Sequence, residues 1–348
     1  VLLYKLSTDS QLYPRCYTLK DITSGNDVKN GGGFCDIYKG QYGEQSLCLK
    51  VVRVFDDQSR ENTLKSLGKE ATLWGSFNHP NIIPFYGIFY LEFRQSICLV
   101  SPWMDHGNLV EYLKHNPSAP RMNLIHDIIS GLEYLHDHKD VIHGDLKGKN
   151  VLVNASGRAC LTDFGLSTIR TDNTLPFTHT TNYNQSLTTR WTAPEMLDGS
   201  RRSKEGDIWA FGSVCYEILT RNIPYHEYTN DAAVIRRITT EQLPTRPEAN
   251  PNSDIDQVSD KTWALMERCW SAKASNRPRC SDIKQELELD ENVEPWDAET
   301  HMEHATQQRE QFQNILVERK YVPIDLAKVE RIFRAMQYVS GDALVSDD

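Results

Sequence analysis

No stretch of the 348-residue chain carries the ~20 consecutive apolar residues that a membrane-spanning helix needs, and no basic-then-apolar segment opens it. Direct membrane insertion is therefore not expected. Basic excess is missing too: 38 Lys and Arg stand against 48 Asp and Glu, a net charge of -10. Nonspecific binding to nucleic acid or anionic lipid needs a cationic surface, so no nucleic-acid partner is expected. Eight cysteines, at 16, 35, 48, 98, 160, 215, 269 and 280, form no CxxC pair and no cysteine-histidine cluster at zinc-site spacing. They read as reduced thiols of a cytoplasmic or nuclear protein. Internal repeats and low-complexity tracts are also lacking. What is there, 39% hydrophobic and 25% charged residues, is the content of a globular chain with one large core or two modest ones. The first residue is Val1 and not methionine, so an upstream part is expected.

Periodicity divides the chain into unlike halves. Residues 31–54 read as strand, turn, strand: "FCDIYKG", "QYGEQ", then "SLCLKVVRV", with β-branched and alternating apolar positions. A helix follows in "ENTLKSLGKEATLWGSF", where Leu64, Leu67, Ala71 and Trp74 recur at helical spacing. Strands around "IPFYGIFY" and "SICLVS" complete a small sheet carrying one helix. From about residue 108 to 290 helices dominate. "MNLIHDIISGLEYLHDH" sets Ile125, Ile128, Ile129, Leu132 and Leu135 on one face, and "DIWAFGSVCYEILT" does the same with Ile208, Phe211, Cys215 and Leu219. The two parts join near residue 104.

Between those helices lies the polar loop "HGDLKGKN", then a hairpin-like "NVLVNASGRACLTDFG" turning at "NASG". The hairpin should bring Asp145, Asn150 and Asp163 to one edge of the helical part. Two carboxylates and an amide oxygen suit Mg²⁺ held partly by a substrate phosphate. With "APE" at 193–195, "HGDLKGKN" and "DFG" stand in the order and approximate spacing of eukaryotic protein kinases, which the chain resembles over residues 25–290. "RWTAPE" and "MERCWSAKASNRP" resemble the tyrosine-kinase-like group, in the form found among fungal serine/threonine kinases of that group.

The resemblance implies an α+β, bilobal fold: a small antiparallel β-sheet lobe with one main helix, to about residue 104, and a larger, mostly helical lobe after it. Residues 1–24 would be a lead-in and 291–348 a helical extension, where "LAKVERIFRAM" is amphipathic and either packs on the large lobe or docks a partner. The implied activity is ATP- and Mg²⁺-dependent phosphorylation of protein substrates in signalling. Asp145 resembles the aspartate that orients the substrate hydroxyl and accepts its proton, while Asn150 and Asp163 resemble the metal ligands. Lys147 resembles the lysine that reaches the transferring phosphoryl group in serine/threonine kinases, which opposes a tyrosine kinase. Thr188 matches the threonine linking Asp145 and Lys147 to the substrate-docking loop.

In the small lobe, Lys50 of "LCLK" resembles the residue that grips the α and β phosphates, with Glu70 as its partner. Ser101 falls at the gatekeeper position, and Pro102 and Met104 offer hinge backbone to adenine, with Ile37 and Leu152 completing the nucleotide set. The glycine-rich stretch is irregular. Asn30, Gly32 and Cys35 stand where the family has three glycines, although Gly31, Gly32 and Gly33 can still let backbone N–H groups approach phosphate. That irregularity is the one feature favouring a pseudokinase scaffold, and Cys35 is a candidate for thiol modification. Glu195 is expected to pair with Arg277, Asp207 to bind backbone near His143, and His143 and Phe164 to be core residues. Finally, Gly144 stands where an arginine often captures a loop phosphate, so activity is expected not to need one unless Arg170 or Arg190 substitutes.

Overall fold

The computed structural model describes residues 18–31, 35–52, 67–94, 96–169, 188–247 and 258–288. Five antiparallel strands run in the order β1-β2-β3-β5-β4: β1 (Thr23–Gly31), β2 (Cys35–Tyr42), β3 (Gln45–Val52), β4 (Gly87–Leu91) and β5 (Ser96–Pro102). The turn expected over "QYGEQ" is tighter than read, because both strands extend to Gly43–Glu44 and Gly43 takes φ +55°. Strand β1 was not legible: "TSGNDVKNG" has no apolar alternation, its register breaks on either side of Val28, and it is an edge strand. The strand expected from Ile83 begins later, at Gly87.

Period-two alternation decides what each face of the sheet does. Leu47, Leu49 and Val51 of β3 join Tyr38, Cys98 and Val100 in the small-lobe core. Cys48 and Lys50 therefore face the other way, toward the second lobe. On that side lies α1, helical over residues 67–74, whose Leu67, Ala71 and Trp74 are buried as expected. Leu64 and residues 53–66 lie outside the described residues.

The larger lobe is helical: α2 (Leu109–His115), α3 (Arg121–Glu133), α4 (Pro194–Leu197), α5 (Lys204–Thr220), α6 (Asp231–Thr239), α7 (Asp260–Cys269) and α8 (Cys280–Glu288). Helix α3 buries Ile125, Ile128, Ile129 and Leu132 as its spacing predicted, but it ends at Glu133 and continues as a π turn over Tyr134–His138. Helix α5 starts at an N-cap, where Ser203 Oγ accepts from Gly206 N at 2.9 Å. From Gly206 to Thr220 every residue of α5 is buried, not one face only. It is the axle of the lobe, which is why its apolar residues run all round. At Gly212 an added Cβ would lie 2.9 Å from Cys269 Cβ, so glycine is what lets α7 lie against it. Two short pairs complete the fold: β6 (Val141–Ile142) with β9 (Thr168–Ile169), and β7 (Val151–Val153) with β8 (Ala159–Leu161). The β7–β8 turn forms as read, with Asn154 Oδ1 accepting from Ser156 N and Arg158 N at 3.0 Å each.

Candidate active site

The polar loop is held by a single carboxylate from α5. Asp207, 2% exposed, accepts from His143 N, Gly144 N and His136 Nε2, each at 2.8 Å. Burial opposes its ionisation, but the bond from His136 and the nearby positive charge outweigh it and hold the carboxyl below the usual range. Gly144 bends the chain at φ +77°, a conformation that costs a side-chain-bearing residue about 1 kcal/mol or more. Beyond that bend Asp145 Oδ2 accepts from Lys147 Nζ at 2.7 Å and from Asn150 Nδ2 at 2.9 Å. Its Oδ1 has no hydrogen-bond partner among the described residues.

The hairpin returns Asp163 to this loop, fastened by Thr162 N donating to Asn150 O at 3.1 Å. Asp163 itself is left-handed, φ +67° and ψ 70°, a region that aspartate tolerates better than most residues. Its Oδ1 meets Lys50 Nζ at 2.8 Å, and the same ammonium reaches Glu70 Oε1 at 2.8 Å. The expected Lys50–Glu70 pair is thus present, with Asp163 as a third member. Burial works against charge on Lys50, but the two carboxylates override it and keep the lysine protonated well above its ordinary range. Lys50 in turn holds Asp163 low, whereas burial pushes the more enclosed Glu70 up. Phe164 fixes α1 in this position, its ring 5.0 Å from Phe77, 5.8 Å from Trp74 and 5.6 Å from His143 between centroids. His143 and Phe164 are both buried core residues, as expected.

Strand register places the remaining candidates. Ile37 and Leu99 lie opposite Lys50 in β2 and β5, so the three share one face, and Ser101 lies opposite Cys48 in the next row of that face. Ser101 is buried, and Pro102 ends β5. Met104 O accepts from Gly107 N at 3.0 Å, while Met104 N has no partner among the described residues. Leu152 is half-buried in β7, bridged to Asn108. Ile37, Leu99 and Ser101 thus lie on the sheet face that carries Lys50, and Met104 N is an open backbone donor just beyond the end of β5. Gly31 is the exposed last residue of β1, while Gly32 and Gly33 lie outside the described residues. Cys35 sits beside Lys50, and burial pushes its thiol up to about 11. That shift disfavours the thiolate, although the residue is only half-buried.

Asn150 and Asp163 suit the Mg²⁺ expected from sequence. Asn150 spends its Nδ2 on Asp145 and leaves Oδ1 without a partner among the described residues, and Asp163 keeps Oδ2 likewise. One carboxylate oxygen and one amide oxygen suit a cation that takes its remaining oxygens from phosphate.

Supporting contacts lie below the loop. Arg277 Nη1 and Nη2 donate to the two oxygens of Glu195 at 2.7 and 2.8 Å, the expected pair. Arg190 does not serve as a phosphate partner: its guanidinium donates to the carbonyls of Pro224, Tyr225 and Tyr228. Thr188 is half-buried, its carbonyl accepting from Thr192 Oγ1 at 3.0 Å, and Arg170 lies outside the described residues. Two contributors were missed. Glu217 Oε2 accepts from Gly148 N and Trp191 Nε1, both at 2.8 Å, tying the polar loop to the segment before "APE". The readable signal was a lone acid inside the apolar run "VCYEILT". Arg202 Nε donates to Gly144 O at 3.2 Å, and no local pattern pointed to it.

Residues 25–287 match the family model described as "Protein tyrosine and serine/threonine kinase". Among curated proteins the chain is similar to the serine/threonine/tyrosine-protein kinase HT1 of Arabidopsis thaliana, 30% identical over 277 residues, covering 78% of this chain and 66% of that protein. It is similar to the serine/threonine-protein kinase STY46 of the same plant, 26% identical over 274 residues, covering 78% and 44%. To the tyrosine-protein kinase transforming protein Abl of Abelson murine leukemia virus it is 29% identical over 273 residues, covering 77% and 34%. The chain thus spans between a third and two thirds of the length of these three relatives. With the motifs in order, the two lobes formed and the family model matched over three quarters of its length, the chain belongs to the protein kinase family.

Proposed function

We propose that the protein transfers the γ-phosphoryl group of ATP to serine and threonine hydroxyls of protein substrates. The observation that carries this reading is Lys50 held between Glu70 and Asp163 at 2.8 Å each, beside an Asp145 whose Oδ1 is free to take a hydroxyl proton. Phosphoryl transfer asks a protein for positioning and charge neutralisation more than for covalent chemistry. Lys50 would grip the nucleotide phosphates, adenine would lie against Ile37, Leu99, Ser101 and Leu152, and Met104 N would donate to it. Asn150 Oδ1 and Asp163 Oδ2 would hold Mg²⁺, which supplies charge neutralisation for the phosphates. Asp145 would orient the acceptor hydroxyl and take its proton, and Lys147, 2.7 Å from Asp145, would meet the negative charge that develops on the transferred group.

Lys147 supports serine/threonine over tyrosine acceptors. Dual specificity is the second reading, favoured by relatives named both as serine/threonine and as tyrosine kinases. No helix among the described residues is long and apolar enough to cross a membrane. A cytoplasmic or nuclear location remains part of this proposal and rests on the scattered cysteines of the sequence. The test is incubation with labelled Mg-ATP and a generic protein substrate, then acid hydrolysis and separation of phosphoamino acids. Label on serine and threonine is the expected result. Label on tyrosine as well establishes dual specificity, and nucleotide binding without transfer establishes a pseudokinase.

A further inference from the structure

Gly144 raises a mechanical problem that its own atoms cannot solve. Glycine has the freest backbone, so the Gly144–Asp145 peptide plane can swing at little cost, and any swing carries the Asp145 carboxylate with it. Three side chains oppose the swing. Asp207 Oδ1 accepts from Gly144 N at 2.8 Å and so holds the peptide before the bend. The peptide after the bend is pinned at both its ends: Asp145 N donates to His143 Nδ1 at 3.3 Å, and Gly144 O accepts from Arg202 Nε at 3.2 Å. Among the described residues only Arg202 holds the carbonyl.

Arg202 stands in the irregular segment before α5, immediately ahead of the N-cap Ser203, so it is anchored to the same helix that carries Asp207. It is half-buried, and burial lowers its guanidinium from the ordinary value against the pull of Asp145 and Asp207, which places both carboxylates within its electrostatic reach. Its remaining guanidinium nitrogens have no partner among the described residues. Arg190, by contrast, is spent on three carbonyls of the structural core.

The geometry points to Arg202 as a positioning residue for phosphoryl transfer: it clamps the Gly144 carbonyl, removes the swing that glycine allows, and keeps a positive charge beside Asp145. This rests on the reading of Asp145 as the group that orients the acceptor hydroxyl. An arginine supplied from outside the loop thereby does from the carbonyl side what a side chain at 144 cannot.

The test compares Arg202→Met and Arg202→Lys with the wild-type protein in steady-state kinetics, ATP titration and amide hydrogen exchange. Arg202→Met is expected to lower kcat by about ten- to a hundredfold, the scale of loss from sub-ångström to ångström misplacement of a reacting group. ATP affinity stays within about twofold, because Lys50, Met104 N and the sheet face of Ile37 and Leu99 are untouched, and amides over residues 143–147 exchange faster. Arg202→Lys, which keeps one charged donor, recovers part of kcat. In an Asp145→Asn background Arg202→Met causes no further loss, since Arg202 works through Asp145. Unchanged kcat with unchanged exchange overturns the proposal, as does a full additive loss in the Asp145→Asn background or a joint fall of kcat and ATP affinity. If the wild-type protein transfers no phosphate, the kinase reading fails, and the exchange rates alone then decide whether Arg202 clamps the loop.

Discussion

Replacing Glu217 with glutamine should make the protein more stable as pH rises from about 5 to 7 and above, with no gain at pH 4.5. Glu217 is 5% exposed, and both of its hydrogen bonds, from Gly148 N and Trp191 Nε1 at 2.8 Å, end on Oε2. No cation touches it among the described residues, and Lys149 and Lys147 act only from a distance. Burial therefore outweighs the two hydrogen bonds and pushes the carboxyl from 4.5 up to about 7. Between those values the folded protein holds a proton that the unfolded chain has released, so stability falls as pH rises. The favourable contribution is fully present below the unfolded value and gone above the folded one. At 1.36 kcal/mol per pH unit of displacement the loss is about 3 kcal/mol. Glutamine keeps an acceptor oxygen and nearly the same volume but cannot ionise. The stability difference between Glu217→Gln and wild type should be near zero at pH 4.5 and reach about 3 kcal/mol in favour of the variant by pH 8. Urea unfolding followed by tryptophan fluorescence at several pH values measures it, provided both proteins keep the same m-value. Asp127 and Glu70, whose carboxyls burial also pushes up, are common to both proteins and cancel in the difference. A difference that stays flat from pH 5 to 8, or a variant weaker at pH 8, would refute the reasoning.

Asp145→Asn should leave ATP affinity nearly intact and lower kcat by about 10²- to 10⁴-fold, whereas Asp163→Asn should weaken Mg-ATP binding; equal binding losses in the two, read by nucleotide titration, would show the roles to be wrongly divided. Ser101→Phe should exclude bulky ATP-competitive inhibitors at a cost of about 1–3 kcal/mol in affinity while ATP still binds, and an unchanged inhibition constant would place the gatekeeper elsewhere. Glu195→Ala should destabilise by about 3 kcal/mol, because it leaves a guanidinium whose side chain is 0% exposed without its carboxylate. Chemical denaturation checks it, and a loss of about 0.5 kcal/mol or less, the scale of an exposed ion pair, would contradict it.

The sequence by itself determined the chemistry of the site. Asp145, Lys147 and Asn150 fall within one short loop, where backbone geometry makes their convergence a local matter, and the "NASG" turn brings Asp163 back at a distance set by two short strands. The faces of the sheet were equally legible, because Leu47, Leu49 and Val51 alternate with Cys48 and Lys50, and a period of two allows only one assignment to core and cleft. Strand β1 escaped for the complementary reason. A polar edge strand rich in glycine and asparagine owes its conformation to hydrogen bonds with β2, and no pattern of its own side chains records them. Only the tertiary structure could decide which charges do what. Glu217 meets Gly148 from 69 positions away and Trp191 from 26, and Arg202 meets Gly144 from 58. Arg190, which as a sequence letter is a free cation, is spent on three carbonyls. A charged side chain carries the same formal charge wherever it stands, but burial and the partners that long-range packing brings to it decide whether it binds a phosphate, holds a proton or pins a peptide.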